Sequence, residues 1–118
     1  MQPQERTYRV QLKDCLDTLA SGEELLAYEK NVPIAYIPHE IACQFFDDFY
    51  HPKTDEFLKA FSQDEIKEIG ILSGYLHIAL QALDSRGHPS VNEVLKLPEW
   101  RSMMKRAAIL REALNKEG

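Results

Sequence analysis

The chain has 118 residues, 44% of them apolar and 28% charged, with a formal net charge of -5. That length supports one hydrophobic core and is short for two, so a single domain over residues 1–118 is expected. No apolar run approaches the roughly 18 residues of a membrane span, and MQPQERTYRV lacks the apolar stretch of a secretory signal, which points to a cytoplasmic protein.

Tyr8, Leu12, Cys15, Leu16 and Leu19 recur at helical spacing and predict a first amphipathic helix from Tyr8 to Ala20. Ser21 stands three residues before Glu24, the spacing of a capping box, and starts a second short helix running to about Glu29. Gly22 favours a break between the two. Pro33 closes that element, and Ile34 to Ile37 reads as a buried linker, since no second strand exists to pair with it.

Pro38 suits a first helical turn and Pro52 stops the chain near Tyr50 or His51, giving a third helix. Thr54 caps a short helix from Asp55 to Phe61. Ser62 and Glu65 make the clearest capping box and start the longest helix, Gln63 to Ser85. Ile66, Ile69, Leu72, Leu76, Leu80 and Leu83 form its apolar side, widened by Ile71, Tyr75, Ile78, Ala79 and Ala82. Gly87 can take the left-handed conformation that ends it, Ser90 and Glu93 repeat the capping spacing, and Pro98 opens a last helix with Trp100, Met103, Ala107, Leu110 and Leu114 inward. The expected fold is an all-α bundle of five to seven helices around a long central helix.

IPHEIACQFFDDFYHP carries the sharpest chemical letters. His39 and Glu40 match the start of a zinc-protease HExxH motif, but Cys43 stands where the second histidine belongs, which removes the motif's specificity. At about 100° per residue, Ile41, Ala42, Phe45, Phe46, Phe49 and Tyr50 spread over a wide apolar face, with His39 and Cys43 on its far border. Glu40, Asp47, Asp48 and His51 fall on the polar side. Asp48-x-x-His51 has the spacing of a dimetal bundle pair with the wrong carboxylate, and His77 lacks a glutamate three residues before it. His77, set in a strongly apolar helix, reads as an interior or boundary histidine. Neither Cys15 nor Cys43 has a local motif supplying a base, and each reads as a small helix-flank thiol outside any disulfide. No glycine-rich phosphate loop occurs among the five glycines. No cofactor or metal is expected, and no enzymatic activity.

Charge is unevenly placed. Residues 14 to 68 hold thirteen acidic residues against four Lys or Arg, whereas Glu99 to Gly118 hold five basic residues against three acidic ones. A polyanion meets repulsion over most of such a surface, which disfavours nucleic acid. An acidic surface interleaved with aromatics suits a basic protein partner, bound through Glu40, Asp47, Asp48, His51, Asp55 and Glu56. Small immunity and antitoxin proteins are similar in size and charge, with no shared motif. The alternatives are a homodimer that buries its apolar excess against itself, or a small metal- or thiol-dependent enzyme using His39, Cys43 or His77.

Overall fold

A computed structural model describes residues 2–32 and 36–117. Among the described residues there is no strand, and seven α-helices follow in order. They are α1 (Pro3–Ala20), α2 (Gly22–Asn31), α3 (Ile37–Gln44), α4 (Asp55–Ala60), α5 (Gln63–Ser85), α6 (Val91–Val94) and α7 (Pro98–Glu117). A π-helical turn, Phe45–Phe49, continues α3.

Local chemistry accounts for most boundaries. α1 begins earlier than its apolar stripe, because Pro3 opens its first turn and the Glu5 carboxylate accepts from the Gln2 amide at 3.2 Å. Those polar residues carry no hydrophobic period, so the stripe alone places the start too late. α2 begins where Ser21 takes an extended conformation and its hydroxyl accepts from the Glu24 amide at 3.2 Å. Gly22 matters for packing as well, since a Cβ there would meet Leu95 Cδ1 at 3.2 Å. The expected stop at Pro33 and the linker residues from Ile34 lie outside the described residues, while Ile37 is buried as the first residue of α3.

α5 has the expected bounds and a reciprocal cap: the Ser62 hydroxyl accepts from the Glu65 amide at 3.2 Å, and Glu65 accepts from the Ser62 amide at 2.8 Å. Beyond it Gly87 is left-handed at φ 67°, and so is His88 at φ 57°, a backbone uncommon outside glycine that histidine tolerates better than most residues. His88 stacks on Tyr36 with ring centres 4.7 Å apart and meets Asp84 at 3.3 Å. The Tyr36 hydroxyl donates to the Pro89 carbonyl at 2.6 Å, tying this turn to the entrance of α3.

α5 is the long central helix, and α7 packs lengthwise on both α5 and α1. Leu12, Leu16 and Leu19 of α1, Ile69, Leu72, Leu76 and Leu83 of α5, and Trp100, Met103, Ala107, Leu110 and Leu114 of α7 belong to one buried cluster with Phe45, Phe49 and Phe57. Full burial of each large side chain contributes about 1.5–3 kcal/mol. The apolar arc of α5 is wider than its cover, however. Ile71 is only partly buried, and Tyr75 and Ile78 remain 39% and 54% exposed, so the residues that widen the apolar arc lie partly outside the cover that α7 and α3 provide. His77, expected as an interior or boundary residue, is exposed.

One buried ion pair crosses this core. Arg9 and Glu65 are 5% and 2% exposed and meet in a two-pronged contact, Nη1 to Oε1 at 2.7 Å and Nη2 to Oε2 at 2.8 Å. Arg9 also donates to the Ala60 carbonyl at 2.9 Å and the Leu114 carbonyl at 3.3 Å, and lies over the Phe61 ring. Four helix segments are thereby joined at the N-cap of α5. Burial by itself would push the Glu65 carboxyl up, but the bonds from Arg9 and Ser62 outweigh it and hold the carboxyl below its usual range.

Candidate functional site

The π-helical turn follows from where its aromatics pack. Tyr50 donates its amide to the Phe45 carbonyl five residues back at 2.9 Å, which brings residues five apart onto the same side. Phe45 and Tyr50 consequently stack, their ring centres 5.7 Å apart, although a regular helix would separate them widely. Phe45 and Phe49 are buried, Phe46 and Tyr50 pack at the margin, and Asp47 and Asp48 are left exposed outside. The Tyr8 hydroxyl donates to the Phe49 carbonyl at the end of the turn, anchoring it to α1.

This places Asp48 across a groove from α1 and α2. The groove holds about 600 Å³ and is lined by Asp14, Thr18, Tyr28, Gln44 and Asp48, with Cys15 and Ile41 at its base. It continues past Tyr28 to Glu40, Cys43 and Asp47. On its other flank Asp17 and Glu24 extend the acidic lining, opposed by Arg111, which meets Asp17 at 3.5 Å. Among the described residues Asp14, Glu40, Asp47 and Asp48 have no ion-pair partner. Tyr28 stands among them, 41% exposed.

The six residues expected from sequence to share a surface are divided. Glu40, Asp47 and Asp48 line the groove. Asp55 and Glu56, in the first turn of α4, lie around the corner beside Gln2, Gln4, Glu5, Tyr8 and Lys59. Asp48 connects the two regions, because its far side lines a shallow channel with Pro3, Gln4, Thr7, Tyr8 and Gln11. His51 lies beyond the end of the turn, partly buried and lining neither region, and its carbonyl accepts from the Thr54 amide and hydroxyl at 3.0 and 2.9 Å. Asp14, Asp17 and Tyr28 were absent from the expected set. Asp14 and Asp17 sit on the polar side of the α1 stripe, but nothing in sequence tells which element that side will face.

His39 and Cys43 do come together, with the sulfur 3.5 Å from the nearer ring nitrogen. The His39 ring lies 5.9 Å from that of His88. Among the described residues, no three His, Cys, Asp or Glu side chains are grouped so as to hold a metal ion. Burial raises the Cys43 thiol, and Asp47, Glu40 and Asp84 raise it further. Cys15 is pushed up to about 12 by burial and by Asp48. Both cysteines are free thiols. Burial is the larger cause at both thiols and the neighbouring carboxylates add to it, so this region opposes a thiolate.

No protein-family model matches the chain, and no significant match is found among curated proteins or solved structures. No described helix is long and apolar enough to cross a membrane.

Proposed function

We propose that this small all-α protein is a non-catalytic interaction module that takes a basic segment of another protein into the groove between α1, α2 and α3. The observation that carries this reading is the set of four carboxylates without ion pairs, Asp14, Glu40, Asp47 and Asp48, arranged around the exposed Tyr28. Carboxylates that lack partners within the chain attract cationic side chains at long range. Tyr28 offers a face on which an arginine or lysine can lie at close range. Tyrosine is enriched among the residues that dominate protein interfaces, and surrounding charge steers association. Inhibition or neutralisation of a basic partner is the use most in keeping with the chain's small size and acidic charge.

The test is capture of the partner from the native host, followed by association kinetics with purified proteins. Asp14→Asn with Asp48→Asn should slow association and flatten its salt dependence, and Tyr28→Ala should speed dissociation. A purified partner whose kinetics are indifferent to all three substitutions would sink the placement.

A further inference from the structure

We infer that the uncovered side of α5 is a self-association surface, on which a second copy of this chain packs with its own α5 antiparallel to the first.

The surface starts from a misfit between sequence and packing. Ile71, Tyr75 and Ile78 recur at helical spacing, yet they lie outside the arc that α7 and α3 cover. Arg106 of α7 lies over the Tyr75 ring at 5.8 Å and pairs with Glu68 at 2.7 Å, so it marks the edge of the stripe next to α7. α7 runs antiparallel to α5, and three residues beyond Arg106 comes Ile109, itself 47% exposed. Exposed apolar side chains thus occur on both of these neighbouring helices. Gly74 lies within it, and a Cβ there would touch nothing. A mid-helix glycine costs about 1 kcal/mol relative to alanine, and packing within the chain does not call for it.

The order of residues along α5 selects the occupant. Ile71 and Ile78 lie equally far on either side of the Gly74–Tyr75 midpoint. A two-fold axis through that point sets Ile71 against Ile78 of the second copy, brings the two Tyr75 rings side by side, and lets the backbones approach where Gly74 lacks a side chain. At the ends, the same operation brings the exposed Asp64 alongside Arg86 of the second copy, which is itself exposed and within its own chain pairs only with Glu99, at 3.7 Å, among the described residues. A parallel arrangement would instead set Asp64 against Asp64 and Arg86 against Arg86, so charge favours the antiparallel one. The apolar stretch from Ile71 to Ile78 rises about 10 Å along the roughly 34 Å of α5, so it forms the centre of the contact and the polar residues toward both ends form its rim.

Sedimentation velocity from low micromolar to near-millimolar concentration tests the idea. The native chain should pass from monomer to dimer, and Ile78→Asp should raise the dissociation constant at least about tenfold without changing the helical signal, since that side chain is half exposed in the monomer. Asp64→Arg and Arg86→Asp should each weaken the dimer several-fold, and combining them should restore it. Both positions lie at the surface, and because Arg86 also meets Glu99 within its own chain, thermal melts of each single variant separate a loss of folding from a loss of the dimer even if Ile78→Asp disturbs folding. A native chain that stays monomeric throughout overturns the inference. So does a dimer indifferent to Ile78→Asp, or a double charge swap no better than the single changes.

Discussion

Two sets of charged side chains in this molecule have opposite fates. Arg9 and Glu65 are withdrawn from water, answer each other with two short bonds, and draw in Ser62, Ala60 and Leu114. Asp14, Glu40, Asp47 and Asp48 remain at the surface of the α1–α2–α3 groove with no ion-pair partner among the described residues. A charge that pairs inside the chain is bound up with which segments meet. A charge that does not is left to act on what arrives from outside. The same distinction separates the residues expected to matter for folding from those expected to matter for binding.

Breaking the buried pair should have the largest effect. Arg9→Ala leaves Glu65 buried without its counter-ion and should destabilise the protein by about 3–5 kcal/mol in chemical denaturation. Replacing both members with apolar residues of similar volume should cost much less. An equal loss in the double variant would mean that packing, not charge, accounts for the effect.

The two regions should also fail at opposite ends of the pH scale. The Glu65 carboxyl titrates lower in the folded than in the unfolded chain. Its stabilisation is therefore complete above the unfolded value of 4.5 and lost as pH falls through the folded value. Glu65→Gln should be less stable than the native chain at neutral pH, with the difference closing in acid. Cys15 behaves in the reverse sense, raised from 9.0 to about 12, so its stabilisation is complete below the unfolded value and lost as pH rises between the two. Thermal melts of Cys15→Ala should therefore show a shallower alkaline decline than the native chain.

Smaller effects sharpen the comparison. Tyr8→Phe removes only the hydroxyl that reaches the Phe49 carbonyl and should cost about 1 kcal/mol. Asp47→Asn and Asp48→Asn should alter stability by less than about 0.5 kcal/mol, whatever they do to binding. A large change in their melting temperature would show that these carboxylates serve the fold after all.

How much of this was readable in the sequence depends on how far each determinant reaches. The Ser62–Glu65 and Ser90–Glu93 caps act over three residues, and both appear as expected. The α7 residues that alternate inward from Trp100 to Leu114 are all buried, because a strongly periodic helix shows its buried side whatever covers it. Arg9 carried a weaker signal: it precedes Leu12 by three residues and Leu16 by seven, which places it on the buried side of α1. Its partner is 56 residues away, and Glu65 already had a sufficient explanation as a cap. The groove was legible on one wall only. Glu40, Asp47 and Asp48 could be grouped from one segment, but their meeting with Asp14 and Tyr28 depends on how three helices pack.

The π-helical turn places five residues where an ordinary turn would hold four. Removing one residue from Phe45–Phe49 would allow a regular helix to form, and for that very reason would rotate everything after it. Tyr50 would leave the Phe45 ring, and the Phe49 carbonyl would swing away from Tyr8. A stretch that looks wasteful in length thus works as a spacer, keeping the chain in phase between α3 and the descent into α4.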